Sequence, residues 1–264
     1  MPFDPTKPAT GTLISSAELR NQFNALNDLI TNLQSQVTDL TLRVTALENK
    51  RRGLLFNGLD NYAANPGIVW PATGTWEFWI KVTGPISDLW PGVAGDGSSL
   101  PGTDYAITGL PGIEFYGAGT VNLIALGSYA GWTNTVDWTQ WHHLALTWDA
   151  TASPKVQMFV DGVPVASHDT LSVPVSTPAP IQIGYPTRTN AGLEMAMSEV
   201  RLSSAVRYLA PFTPANSFTP DANTVALYAF AEQTGTTAAD SSGNGNDLTL
   251  TALPGGTLPV WFVE

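Results

Sequence analysis

Thr75-Trp76-Glu77-Phe78-Trp79-Ile80-Lys81-Val82 has a period of two: Trp76, Phe78, Ile80 and Val82 alternate with Glu77, Trp79 and Lys81. Side chains of a strand point to opposite faces in turn, so the segment predicts a strand packed on at least one side. Trp141-His142-His143-Leu144-Ala145-Leu146-Thr147-Trp148 reads as another strand. Val156 to Val165 reads as a hairpin about Asp161-Gly162, because Asp-Gly supplies the positive φ that a tight turn needs. Further strands are expected at 121–126, 181–184, 195–202, 224–230 and 247–251. Many short strands at loop-rich spacing, without a long helical stretch among them, predict a mainly β head built as a two-sheet antiparallel sandwich.

Ahead of this head the period changes. Between Ser16 and Arg51 a heptad repeat places Leu19, Leu26, Leu33, Leu40 and Leu47 at d and Phe23, Ile30, Val37 and Val44 at a. That apolar stripe is too narrow to cover a globular core and fits the seam between parallel helices. Ser15 with Glu18 forms a capping box, flanked by Ile14 and Leu19 as a hydrophobic staple. Gly53 is expected to end the helix after Lys50-Arg51-Arg52, whose charges suit the negative end of its dipole. A stem of about 50 Å results, at ~1.5 Å per residue. Val and Ile at a with Leu at d favour two strands. Against that, Arg43-Val44-Thr45-Ala46-Leu47-Glu48 resembles the Arg-h-x-x-h-Glu trimerisation motif, in which Arg43 pairs with Glu48 of a neighbouring chain. Leu29 at g and Phe23 at a also widen the seam. The reading is a parallel homotrimer, with an extended Pro-rich peptide at 1–14, a coiled-coil stem at 15–52 and a head at 53–264.

The chain has 264 residues, of which 12% are charged, and a formal net charge of -11. Up to Arg52 it carries six Lys and Arg against five Asp and Glu; beyond it, five against seventeen. So acidic a head repels nucleic acid and anionic membranes. There is no cysteine, hence no disulfide framework and no thiolate metal site. The N-terminus has no apolar signal core, and no run approaches the ~20 apolar residues of a membrane span. A product made in the cytoplasm, without membrane insertion, is expected.

Leu55-Phe56-Asn57-Gly58-Leu59-Asp60-Asn61-Tyr62, Thr75–Ile80, Trp141–Asp149, Met158-Phe159-Val160-Asp161-Gly162 and Met197-Ser198-Glu199-Val200-Arg201-Leu202 follow one another in the chain. This succession resembles the LamG-like jelly rolls of the concanavalin A-like lectin/glucanase superfamily. Val225–Phe230 with Ala239–Leu248 matches another recurrent element of that group. In many members it precedes the Phe-x-Gly strand, whereas here it comes last; a sandwich with adjacent termini tolerates such permutation. The resemblance covers about residues 53–251 and implies a jelly-roll head. Joined to the stem and the Pro-rich start, it resembles a bacteriophage fibre, which lysis releases without a secretion signal.

Glucanases of this fold use paired carboxylates, commonly Glu-x-Asp-x-x-Glu on one strand. Glu77, Glu114, Glu194 and Glu199 each stand alone on their strands, so no catalytic residues are assigned. His142 and His143 are adjacent and point to opposite faces of a strand; His143 reads as structural and His168 as a loop residue. Asp240-Ser-Ser-Gly-Asn244-Gly-Asn246-Asp247 is a turn dense in oxygen donors. The resemblance implies a structural Ca²⁺ on Asp240, with Asn244 and Glu199 as further ligands; a turn closed by its own Asx hydrogen bonds is the equal alternative. Trp132, Tyr129, Trp90 and Tyr116 fall in Gly-rich, loop-like stretches and are the glycan-binding candidates, their rings offered to sugar faces; packing at the sandwich ends or between protomers is the other reading.

These readings converge on a phage tail or head fibre in the virion. Residues 1–14 would join other virion proteins, the stem would project the heads, and the heads would bind host-surface glycan without catalysis. The alternatives are a ligand-free capsid or tail decoration and a polysaccharide depolymerase.

Overall fold

The computed structural model describes residues 15–48, 50–86, 92–95, 112–116, 120–125, 128–133, 135–169, 178–184 and 193–264. The chain separates into two compact units, Met1–Lys50 and Arg51–Glu264. In the first, α1 (Ser16–Glu48) begins on the expected capping box. The Ser15 Oγ accepts from the Glu18 amide at 3.2 Å, and the Glu18 carboxylate accepts from the Ser15 amide at 3.1 Å. Ile14 of the expected staple lies outside the described residues. Thr31, Thr38 and Thr41 return their hydroxyls to the carbonyls four residues back, which lets a polar β-branched residue sit inside a helix.

The helix ends earlier than the sequence predicts. Gly53 is not its cap but a buried residue of β1 (Arg52–Asn57). A Cβ there would meet the Met197 carbonyl oxygen at 2.0 Å and the Phe262 ring at 2.6 Å, so the glycine serves a close approach of strands. Arg51 and Arg52 likewise belong to the β unit, and no basic side chain stands in the last turn of α1.

The second unit is a sandwich of two antiparallel sheets. The first is built from β1, β3 (Thr73–Val82), β8 (His142–Asp149), β9 (Val156–Val160), β10 (Val163–His168), β12 (Glu194–Ser203), β13 (Thr224–Tyr228) and β16 (Val260–Val263), in the order β10-β9-β8-β3-β12-β1-β16. β1 and β13 share one side of β12, pairing with its first and second halves in turn. At the handover the register slips between Ser198 and Arg201, and Glu199 takes a φ of 51°. The second sheet holds β2 (Asn61–Val69), β4 (Gly92–Gly95), β5 (Gly112–Tyr116), β6 (Thr120–Ala125), β7 (Ser128–Thr133), β11 (Pro178–Ile183), β14 (Thr237–Ala238) and β15 (Leu248–Ala252), ordered β14-β15-β2-β11-β4-β5-β6-β7. His168, expected in a loop, closes β10 opposite Val156.

The alternation of β3 fixes the layers. Trp76, Phe78, Ile80 and Val82 are buried between the sheets with Leu54, Phe56, Leu144, Leu146, Met195 and Met197. Trp70, Trp76 and Trp148 meet at centroid distances of 5.4 and 6.1 Å. The Trp148 indole donates to the Pro71 carbonyl and that of Trp70 to the Pro180 carbonyl, so these polar handles are not stranded.

The other face of β3 is covered as well. Residues 204–223 run over it as a strap without strand or helix, and Trp79, Phe218 and Leu227 form a second small core beneath it. The strap is pinned at the β9–β10 turn, where Asp161 and Gly162 have φ values of 50° and 76°. The Phe212 amide donates to the Gly162 carbonyl at 3.0 Å, and a Cβ on Gly162 would strike the Phe212 carbonyl oxygen. The Asp-Gly dipeptide thus serves both the hairpin and the strap.

Candidate functional site

Of the four aromatic candidates, Trp90 lies outside the described residues. The other three are on strands, not loops. Tyr116 ends β5 opposite Thr120, and Thr120 faces Thr133 of β7, the neighbour of Trp132. Register therefore sets Tyr116 and Trp132 at one end of the β5–β6–β7 ribbon but in adjacent rows on opposite faces, since Trp132 stands across from Val121 and Val121 from the buried Phe115. Tyr129 pairs with Ile124 three positions along β7, roughly 10 Å away at ~3.3 Å per residue.

Trp132 is half-buried and packs against the main core, its ring edge-on to Trp138 at 6.5 Å. Trp138 continues the row to Phe115 at 4.9 Å and His142 at 5.2 Å. The β7 edge of the second sheet lies beside β10 of the first, which closes the sandwich on this side. Gly131, which makes this segment look irregular, sits inside β7 opposite Asn122. Following Trp132 along the chain, Thr133, Thr135, Asp137 and Thr139 are exposed. The Asp137 carboxylate accepts from the Thr139 hydroxyl at 2.6 Å and amide at 3.1 Å, which hold it below the usual carboxylate range. His142 is tied down by the Asp161 carboxylate at 2.7 Å and the Asp137 carbonyl at 3.0 Å. A partly open indole, with exposed hydroxyl and carboxylate groups near it in the chain, has the residue types that meet a sugar's apolar face and its hydroxyls.

The Asp240–Asp247 turn is closed by its own hydrogen bonds. Asp240 Oδ1 accepts from the amides of Leu227 and Ser242, both at 2.9 Å. Its Oδ2 accepts from the Ser242 hydroxyl at 2.8 Å and the Asn246 amide at 3.0 Å. Asn244 turns its amide nitrogen to the carbonyls of Thr224 and Val225. Glu199 accepts from the Phe218 amide at 3.0 Å and the Ser217 hydroxyl at 3.3 Å, and burial raises its carboxyl above the ordinary range. Among the described residues there is no group of three His, Asp or Glu side chains placed to hold a metal ion.

The carboxylate that the sequence reading passed over is Glu77, completely buried under the strap. Its Oε1 accepts from Arg201 Nε at 2.9 Å and Nη2 at 2.7 Å. Its Oε2 faces His143 Nε2 at 3.2 Å and accepts from the Tyr208 hydroxyl at 2.8 Å. His143 Nδ1 is buried without a partner among the rings of Tyr208, Phe212 and Phe218, which places the imidazole proton on Nε2. Burial opposes ionisation of Glu77, but the His143 hydrogen bond and the Arg201 charge outweigh it and hold the carboxyl below its ordinary range. The signal for this cluster was present: three polar residues at outward positions of β3, β8 and β12, with Arg201 directly across from Glu77. What hid it is the strap, whose packing has no local period.

Where the chain enters the sheet, a last group of side chains gathers. The Arg51 guanidinium lies 3.6 Å over Trp79 and 5.3 Å from Trp141, and burial lowers its pKa to about 10 against the pull of Glu199 and Glu264. Trp141 stacks on Phe262 at 5.8 Å, and Lys81 pairs with Glu264.

Residues 57–211 match the family model described as concanavalin A-like lectin/glucanases superfamily. Among solved structures, a candidate carbohydrate-binding protein of Bacteroides ovatus is similar with a TM-score of 0.54 at 17% identity, over 80% of this chain. The match spans 61% of that protein's length. A heptameric SAP-like pentraxin of Limulus polyphemus gives a TM-score of 0.50 at 13% identity, over 80% of this chain and 95% of its own. Both likenesses are of fold. No curated protein matches the chain. The family model spans more than half of the sequence and coincides with the two-sheet sandwich: the chain belongs to the concanavalin A-like lectin/glucanases superfamily.

Proposed function

We propose that the protein is a bacteriophage fibre subunit, a homotrimer whose helices wind into a parallel coiled coil and whose lectin-like heads hold host-surface glycan without catalysis. In this reading residues 1–14 attach to other virion proteins and the protein resides on the particle. One observation carries it. Along α1 the a and d side chains Leu19, Phe23, Leu26, Ile30, Leu33, Val37, Leu40 and Val44 are all exposed in the single chain, Phe23 by 64% and Leu33 by 60%. A helix draws most of its stability from packing such a face, so a stripe this regular needs covering by other helices. Arg43 pairs within its own chain only at 4.0 Å with Asp39, both exposed, and stays available to Glu48 of a neighbour.

The glycan half of the proposal draws on the family and on the Bacteroides ovatus protein's description as a candidate carbohydrate binder. The half-buried Trp132, beside the exposed 135–139 segment in the chain, is the place proposed for the sugar. Three weak sites on one stem raise avidity by about 10²–10⁴ over a single site. Light scattering of the full chain should give the mass of three chains, and Leu26→Asp with Leu33→Asp should give the mass of one. A single-chain mass for the unaltered protein refutes the fibre; a two-chain mass refutes the trimer. Glycan-array binding that is absent for both the trimer and the single chain refutes the lectin role.

A further inference from the structure

We propose that the Trp132 site takes uncharged sugars and turns away those bearing carboxylate, phosphate or sulfate, with the Asp137 carboxylate setting the choice. The inference rests on the lectin reading above.

Asp137 stands one residue before Trp138, whose ring adjoins that of Trp132 at 6.5 Å. Its backbone is held by His142, which meets the Asp137 carbonyl at 3.0 Å and lies 5.2 Å from the Trp138 ring. The carboxylate itself is exposed. Both hydrogen bonds it accepts among the described residues, from the Thr139 hydroxyl and amide, go to Oδ1. That leaves Oδ2 for a ligand. An ionised carboxylate has no proton to give, so Oδ2 can accept from a sugar hydroxyl or amide. An acidic sugar group would bring it a second anion instead.

The means to neutralise such an anion lie elsewhere. Carboxylate, sulfate and phosphate are held by Arg and Lys, and from Gly53 onward five such residues stand against seventeen acidic ones. Arg188 lies outside the described residues. Arg201 is bound to the buried Glu77, Arg207 to Asp221 and Lys81 to Glu264. The Lys155 carbonyl accepts from the Asp149 amide at the far end of β8, about 23 Å from His142 over seven steps of ~3.3 Å. Arg51 covers Trp79, and Arg52 opens β1, three strands away from β8 in the sheet. His142 is the basic side chain nearest Trp138, and both its ring nitrogens are taken up by Asp161 and the Asp137 carbonyl.

The chain carries its own control. At the other end of β8, Asp149 accepts from the Thr151 amide and hydroxyl, both at 2.8 Å, in the arrangement that Asp137 makes with Thr139. An array of neutral oligosaccharides, printed beside their sialylated, sulfated and phosphorylated counterparts and probed with the full chain at low salt, tests the proposal. Neutral members should be retained and their acidic counterparts held at least about fivefold more weakly, the cost of one like charge at ~4 Å in water. Asp137→Asn should raise the ratio of acidic to neutral retention by about that factor, and Asp149→Asn should leave the ratio where it is. Acidic members held as well as neutral ones overturn this inference and leave the lectin reading in place. An equal rise from both substitutions assigns the discrimination to net charge and overturns the role of Asp137. Retention of no glycan at all brings down the lectin reading and the inference with it.

Discussion

Replacing Glu77 by glutamine changes one atom and removes one charge, from a carboxylate that Arg201 contacts at 2.7 Å and Arg207 approaches at 4.0 Å. The side chain keeps its volume, so no cavity forms. Arg201 is 8% exposed and loses the anion that accepts from its Nε and Nη2. An uncompensated buried charge of this kind costs about 3–5 kcal/mol. For a domain of this size that corresponds to a fall in melting temperature of roughly 6–20 °C, at ~2–4 °C per kcal/mol. Thermal and urea unfolding at neutral pH measure it directly. A double variant, Glu77→Leu with Arg201→Leu, removes both charges and should recover the charge part of the loss, while the Tyr208 hydroxyl and His143 Nε2, left without their acceptor, keep it below the unaltered protein. Acid titration adds an independent arm. The folded carboxyl titrates below its ordinary value, so its contribution is complete above that value, ~4.3, and disappears as pH falls through the folded pKa. The Glu77→Gln protein should lack this acid limb. A loss below about 1 kcal/mol, the level of an exposed ion pair, together with an unchanged acid limb, would refute the view that this carboxylate is charged and anchors the strap.

Three further outcomes are expected. Trp132→Ala should lower head stability by roughly 2 kcal/mol, about half the cost of deleting a fully buried ring, and weaken glycan retention at a temperature where the head is still folded; unchanged retention removes Trp132 from the sugar site. Asp240→Ala should cost about 2–3 kcal/mol for the donors it strands, equally in Ca²⁺ and in chelator; a melting temperature that rises with Ca²⁺ only in the unaltered protein restores the cation reading. Gly162→Ala should destabilise by roughly 1–3 kcal/mol, since it demands a positive φ and pushes on the strap; a neutral result in urea unfolding would show that the strap yields there at no cost.

Strands were legible where alternation ran long, as in β3 and β8, whereas β2, β5 and β7 went unread although Ile68, Ile113 and Phe115 are buried in the core. The alternation in β3 and β8, the Asp161-Gly162 turn and the Ser15–Glu18 cap all report contacts set within a few residues of sequence. Misreadings arose where a distant element decides the environment. Gly53 looked like a helix terminator because glycine ends helices, yet its smallness answers Met197 and Phe262, which lie far along the chain. Trp132 looked loop-borne because Gly131 precedes it, yet pairing with Val121 draws both residues into a strand. Glu77, Arg201 and Tyr208 are scattered over more than a hundred residues, and only the folded strap unites them. The Asp240 turn carried both readings in its composition, since oxygen-rich glycine turns suit a cation and an Asx network alike.

The pairing of β1 has a mechanical consequence. The chain enters the sheet at Arg51 and at once becomes a strand hydrogen-bonded on both flanks, to β12 over Leu54–Asn57 and to β16 over Arg52–Leu55. Tension drawn along that strand must slide it between two neighbours, so the bonds on both sides resist together rather than opening one after another. The short overlap also sets the yield point: once β1 slips by two residues towards its N-terminus, Phe56 takes the place of Leu54 and Leu54 moves to the exposed place of Arg52, out of the core.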